Sequence, residues 1–352
     1  MDREPTIAPP PPGEKTPAAV RVNGGRRVLD ARVGMTLYAA CRARKLFLPT
    51  GCGARGRCAL CRVRALGDLA PPTSVEQAKL SAADLDGGQR LACQARIAGP
   101  AVELAVPDYA FDAREYAVTV ERIEPLARDI RGLTLRLAEG DGLRFLAGQF
   151  MAFSVNPPPG LRGVVTRAYS LASPPSRSGS FDLIVRKVAG GEATTRVFEH
   201  LKVGDAAAAC GPFGDFRLRG EDRRAVMIAG GSGLSPFLAM MDDLDDLARR
   251  GRARETILYF GAVNQADLYY VDRFQAFARE RDWFQFVPAL SGDETGHAYE
   301  RGTIDRVLER TAGDLSGSDA YVCGSPGMVA ACEKTLARLR LPADRLFYDR
   351  FA

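Results

Sequence analysis

Residues 49–63 read PTGCGARGRCALCRV, with three cysteines (Cys52, Cys58, Cys61) and three glycines set among arginines. A fourth cysteine, Cys93, returns in RLACQARI, so the pattern is C-x5-C-x2-C-x31-C. Three thiolates from one loop and one from a distant strand is the arrangement that grips a plant-type [2Fe–2S] cluster, whose usual opening is C-x4-C. A loop around such a core must aim backbone N–H groups at sulfur, and Gly51, Gly53 and Gly56 allow the positive φ and close approach this needs. Zinc is the rival ligand. Structural zinc sites tend to pair two short knuckles, and this stretch holds one. Rieske ligation needs two nearby histidines, and the only histidines are the remote His200 and His297.

Working outward, the 352-residue chain is 46% hydrophobic, enough to bury real cores and to form two or three domains. No run of about 18 apolar residues is present, and the N-terminus lacks the basic-then-apolar layout of a secretory signal. The expectation is a cytoplasmic protein with no integral membrane segment, in which eight cysteines do not form four disulfides. A net charge of +5 without an aromatic-rich basic motif gives no case for nucleic acid. Cys41, Cys210 and Cys332 read as small buried hydrophobes.

Three grammars follow one another along the chain. Residues 1–17, MDREPTIAPPPPGEKTP, read as a disordered Pro-rich tail. Residues 18–107 are β-rich: Asn23-Gly24-Gly25 signals a hairpin, and Thr36 caps a short helix with Leu37, Ala40 and Cys41 on its apolar side. Residues 108–220 carry runs such as YAVTV, GQFMAFSV and FDLIVRKV, which predict an antiparallel barrel. Residues 221–352 alternate apolar strands with helices, the sign of a doubly wound parallel sheet. Pro236 opens a helix there, and Gly251 stops it.

Two further motifs carry chemistry. TRAYSLAS contains Arg167-Ala168-Tyr169-Ser170, which resembles the R-x-Y-S motif of the ferredoxin–NADP reductase superfamily. On a strand Arg167 and Tyr169 share one face, the guanidinium suited to a pyrophosphate and the phenol to a flavin, while Ser170 is offered to flavin N5. GGEATTRVFEHL follows, where Gly190, Gly191 and Thr194 resemble the family's phosphate-binding turn. MIAGGSGLSPFLAMM resembles its nicotinamide turn: Gly230, Gly231 and Gly233 admit the dinucleotide pyrophosphate, and the helix at Pro236 aims N–H groups at it. In relatives the position of Cys323-Gly324 lies near the reacting nicotinamide, with a buried strand end as the plainer reading of Cys323. A near-terminal aromatic covers the flavin, here Phe351 or, alternatively, Tyr348.

The cysteine stretch is similar to plant- and adrenodoxin-type ferredoxin domains. Its x5 opening is also similar to that in the flavin subunit of sodium-translocating NADH:quinone reductases. The resemblance covers residues 18–352 and implies a β-grasp-like ferredoxin domain, a flavin barrel and a nicotinamide domain. It implies FAD rather than FMN. Asn264, Gln265 and Asp267, where a 2′-phosphate site would place arginine or lysine, favour NADH over NADPH. The implied activity is electron transfer from NADH to FAD to [2Fe–2S] to an external acceptor, an oxygenase or hydroxylase component. A quinone reductase-type electron-input subunit and a redox-sensing module are the alternatives. Residues 18–107 hold fourteen Arg and Lys against six Asp and Glu, an excess of eight, which predicts a partner with an acidic docking face. That docking surface is expected at the cluster loop itself, around Arg55, Arg57, Arg62 and Arg64.

Overall fold

In the computed structural model, which describes residues 16–138, 140, 142–157, 162–220, 223–292 and 299–351, the chain turns back on itself at Asn23-Gly24-Gly25. All three residues take positive φ there. The tail expected over 1–17 lies outside the described residues except for Thr16 and Pro17, and Pro17 opens the first strand. The chain divides into two units, Met1–Ala113 and Arg114–Ala352, each described by itself.

The first unit holds β1 (Pro17–Val22), β2 (Arg27–Arg32), α1 (Leu37–Ala43), β3 (Arg62–Leu69), α2 (Ser74–Lys79), α3 (Ala82–Asp86), β4 (Gln89–Leu91), β5 (Ile97–Ala105) and α4 (Tyr109–Asp112). Its sheet order is β2-β1-β5-β3-β4, with β1 and β5 parallel and the other pairs antiparallel. That is the β-grasp arrangement expected of it. Thr36 caps α1 as predicted, accepting from the Ala39 amide at 3.2 Å, and Leu37, Ala40 and Cys41 enter the core with Val20, Leu29, Val63 and Leu104. The unit runs past Pro107 because Tyr109 and Phe111 pack on that core, while Arg26 pairs with Asp108 at 2.7 Å and covers the Phe111 ring.

The second unit begins with β6 (Arg114–Ala127), β7 (Ile130–Leu137), β8 (Phe150–Val155), β9 (Val165–Ser170), β10 (Ser180–Arg186), α5 (Glu192–Thr195) and β11 (Ala206–Phe213). These strands form one antiparallel sheet, β10-β7-β6-β11-β8-β9, filled by Val118, Val120, Leu135, Phe153, Phe181 and Val185. It curls until Leu171, just past one edge strand, bridges Leu183 of the other, the barrel expected from the alternating runs.

The same unit continues through β12 (Arg224–Gly230), α6 (Ser235–Arg249), β13 (Thr256–Ala262), α7 (Val271–Arg279), β14 (Phe284–Leu290), β15 (Glu300–Arg301), α8 (Ile304–Thr311), β16 (Ser318–Gly324), α9 (Pro326–Arg338) and β17 (Leu346–Arg350). The sheet is parallel throughout, in order β15-β14-β13-β12-β16-β17. Helices on both faces explain why Ala225–Ala229 is apolar at every position and fully buried. Strand order reverses between β12 and β16. A crevice therefore opens at their carboxyl ends, at Gly230 and Gly324.

Candidate functional site

The cluster loop lies between α1 and β3, and its three thiols and that of Cys93, just past β4, gather in two pairs. Cys52 Sγ and Cys58 Sγ are 3.5 Å apart, and Cys61 and Cys93 share a hydrogen bond. Two pairs, rather than four thiols about one point, suit a binuclear cluster with two ligands per metal better than a single tetrahedral ion. Backbone amides turn toward sulfur as the reading requires: Gly51 N–H donates to Cys58 Sγ and Arg55 N–H to Cys52 Sγ, both at 3.3 Å. Gly53 and Gly56 take φ of 66° and 73°, and Ala54 and Ala59 join them in the left-handed region at 62° and 57°. Burial raises the Cys52 pKa, but the amides of Arg57, Cys58 and Arg55 outweigh it and leave the thiol below its ordinary value. The Cys61 hydrogen bond brings Cys93 down to about 6. Donor type, pairing and amide direction all fit the cluster.

Cys93 sits on an arm that the sequence did not flag. Glu76 at the head of α2, itself in a capping box with Thr73, accepts from Arg90 Nε at 2.8 Å and Arg90 Nη2 at 3.1 Å, and also from the Leu91 amide. This buried pair fixes β4 just ahead of Cys93. Gln94 Nε2 then donates to Cys93 Sγ at 3.5 Å and lies where a side chain on Gly56 would have to go. Cys41 is fully buried in the core of this unit, and burial pushes its pKa up to about 12.

On the barrel, β9 sets Arg167 and Tyr169 on one face and buries Ser170 on the other. Burial lifts the Tyr169 phenol to about 12, so it stays protonated and able to donate. Gly190 takes φ of 68° and Gly191 caps α5. Thr194 Oγ1, however, accepts from the Val188 amide at 3.1 Å and donates to the Gly191 carbonyl at 3.0 Å. Its hydroxyl braces the turn.

The barrel meets the parallel sheet at the crevice. Ser170 Oγ donates to Asp349 Oδ2 at 3.3 Å, and Asp349 stands beside Cys323 across β16 and β17. Burial raises the Asp349 carboxyl to about 6, only partly offset by Ser170. Burial, with Asp349 adding to it, also holds the Cys323 thiol well above its ordinary pKa, so it is neutral. A cavity of about 400 Å³ adjoins Asp349, with Phe150, Phe216, Phe347 and Tyr348 in its walls, room and chemistry for a planar aromatic group. The Phe351 amide donates to the Gly324 carbonyl at 3.0 Å, and its ring packs on the cluster that includes Cys323. Tyr348 is exposed and covered by the Arg350 guanidinium at 4.4 Å, so the aromatic brought to Gly324 is Phe351.

The glycine turn is a cradle that added carbon would fill. A Cβ on Gly233 would lie 2.2 Å from the Cys323 carbonyl oxygen; on Gly230 and Gly324 it would meet the Met328 thioether. Gly231 takes φ of 55°. Ser235 begins α6, one residue ahead of the predicted Pro236, and its buried Oγ has no partner among the described residues. An orphaned hydroxyl at the foot of a helix beside a Gly-lined crevice fits a polar ligand such as a dinucleotide. Sequence reasoning missed Asp349, Tyr269, whose hydroxyl reaches the Gly231 carbonyl at 2.9 Å, and Arg186, whose guanidinium lies 3.2 Å from a Cβ placed on Gly231.

Three family models match in the order the motifs predict. They are a 2Fe-2S iron-sulfur cluster binding domain over residues 20–98, an oxidoreductase FAD-binding domain over 117–218 and an oxidoreductase NAD-binding domain over 227–334. The reductase component of phenol 2-monooxygenase from a Pseudomonas species is 34% identical over 92% of this chain and 91% of its own. The reductase subunit of an aromatic O-demethylase from an Amycolatopsis species is 36% identical over 93% and 97%. The crystal structure of an Amycolatopsis cytochrome P450 reductase superposes with a TM-score of 0.76 at 35% identity, covering 95% of this chain and 98% of that one. The chain belongs to the ferredoxin–NAD(P) reductase superfamily of oxidoreductases, among the members that carry an N-terminal [2Fe–2S] ferredoxin domain.

Proposed function

We propose that this protein is the NADH-dependent reductase component of a multicomponent oxygenase or hydroxylase. NADH supplies a hydride, FAD takes the electron pair and releases it singly, and a [2Fe–2S] cluster carries one electron onward. The carrying observation is that one chain unites two thiol pairs ringed by amides with a flavin-type barrel joined to a nicotinamide crevice. Gly230, Gly231, Gly233 and the start of α6 at Ser235 and Pro236 receive the dinucleotide pyrophosphate. Cys323, Gly324 and Phe351 line the floor on which the nicotinamide is oriented. Arg167 with the Gly190–Gly191 turn holds the flavin phosphates, and Tyr169 donates its hydroxyl to the flavin. Ser170 Oγ, bonded to an Asp349 carboxyl whose pKa desolvation raises to about 6, holds a proton at the flavin edge. Cys52, Cys58, Cys61 and Cys93 ligate the cluster. The test is anaerobic titration of the purified holoprotein with NADH. Flavin bleaching followed by a reduced-cluster signal is expected, and the absence of both refutes the proposal.

The acceptor is a redox protein with an acidic face. Arg55 and Arg57 are exposed on the loop that carries the half-buried Cys52 and Cys58, and neither has an ion-pair partner among the described residues. Arg62 and Arg64, expected to share this role, are engaged instead, Arg62 by Asp84 and Gln89 and Arg64 by the Gly87 carbonyl. Reduction of the acceptor should slow as salt rises, and a rate indifferent to ionic strength overturns the steering argument. No helix among the described residues is long and apolar enough to cross a membrane. With no disulfide among the eight cysteines, the cytoplasm is the location this reading favours.

A further inference from the structure

Tyr269 lies on the segment that follows β13, between the turn Gln265–Asp267 and α7, and it is almost fully buried. Its ring is wedged edge-on against Phe260 and Tyr270, each with centroids 5.4 Å away, so its hydroxyl has one fixed position. From there it donates to the carbonyl oxygen of Gly231 at 2.9 Å. The next residue, Tyr270, takes φ of 58°, an uncommon conformation for a bulky side chain, which marks the segment as held by its surroundings.

In a planar trans peptide the C=O and the following N–H point in opposite directions. A hydroxyl that draws the Gly231 carbonyl inward therefore turns the Ser232 amide outward, away from the Tyr269 side. Gly231 opens a short 3₁₀ turn, Gly231–Leu234, and at φ of 55° with no Cβ it contributes little stiffness of its own, so the hydroxyl adds to what the turn provides. Asn264 and Asp267 close a capping box on the same segment, Asn264 N–H donating to Asp267 Oδ2 at 3.1 Å. One short stretch thus carries both the residues read in the sequence as favouring NADH and the hydroxyl bonded to the glycine turn.

We infer that Tyr269 is a positioning residue for the nicotinamide dinucleotide: its hydroxyl locks the Gly231–Ser232 peptide so that the Ser232 N–H is set toward the pyrophosphate before the cofactor arrives. This rests on the assignment of the Gly230–Gly233 turn to that cofactor. Because the turn is set in advance, binding does not have to stop the peptide from rotating. Losing the hydroxyl should weaken capture of any ligand with a pyrophosphate and leave later steps alone.

The test is Tyr269→Phe in the full-length holoprotein, which keeps the ring and its packing, with the flavin spectrum as the check on folding. One lost hydrogen bond of ordinary strength corresponds to about a fivefold change. The expected result is a KM for NADH and an inhibition constant for ADP-ribose that rise together by about fivefold. kcat and the flavin midpoint potential should stay at parent values. Unchanged ADP-ribose inhibition overturns the inference, as does a fall in kcat at constant KM. Failure of the parent protein to oxidise NADH overturns the functional reading instead, so the two failures are separate.

Discussion

Gly233→Ala tests the nicotinamide crevice with a single methyl group. The added carbon would stand 2.2 Å from the Cys323 carbonyl oxygen, 2.6 Å from its carbon and 3.0 Å from Gly324 Cα, where ordinary contacts begin at 3.4 Å. All three neighbours are backbone, so no side chain can swing aside; either the glycine turn or the end of β16 must move by roughly 1 Å, and a displacement of that size at a positioned site costs about a hundredfold in rate. Gly233 does not need a left-handed conformation, so the penalty comes from this contact alone. The assay is stopped-flow reduction of the flavin by saturating NADH, followed at the flavin absorption band. The rate constant should fall about a hundredfold, while dithionite reduces flavin and cluster to the parent extent because the barrel and the ferredoxin unit are untouched. NADH reduction at the parent rate would show that the turn and Cys323 do not form the site.

Three other outcomes follow from the geometry. Cys93→Ser should abolish the cluster's visible absorption, whereas Cys41→Ser should retain it; loss in both would mean that the two-pair assignment is wrong. Glu76→Ala strands Arg90 in the interior and should lower the stability of the ferredoxin unit by about 3–5 kcal/mol, read by urea unfolding at the cluster absorbance, with no measurable change telling against the role given to the pair. Desolvation raises the half-buried Asp349 carboxyl to about 6 from an ordinary 3.8, so between these values the folded protein binds a proton that the unfolded chain does not. Stability should therefore decline as pH rises from 4 to 6, and Asp349→Asn should flatten that decline; an unchanged melting profile counts against the burial.

What was legible in the sequence was what local spacing can carry. Cysteine spacing, the strand bearing Arg167 and Tyr169, and the glycine turn after an apolar strand each report on a few neighbouring residues, and the alternation of strands and helices gave the three architectures. Pairings across the fold were not legible. Ser170 finds Asp349 179 positions away and Tyr269 finds Gly231 at 38, and nothing beside either partner marks it. Tyr109 and Phe111 carry no local signal that they belong with the first core, on which the fold packs them. Thr194 belongs by motif to a phosphate-binding turn, and the bonds its hydroxyl makes within that turn are not visible in the motif.

The two thiol pairs rest on different foundations. Cys61 and Cys93 flank strands of the finished sheet and are braced by Glu76 and Arg90, whereas Cys52 and Cys58 ride a loop whose Ala54 and Ala59 are held in conformations that alanine seldom adopts. Ala54→Gly or Ala59→Gly should therefore relieve backbone strain at the loop pair alone, while the pair set beside the sheet keeps its footing.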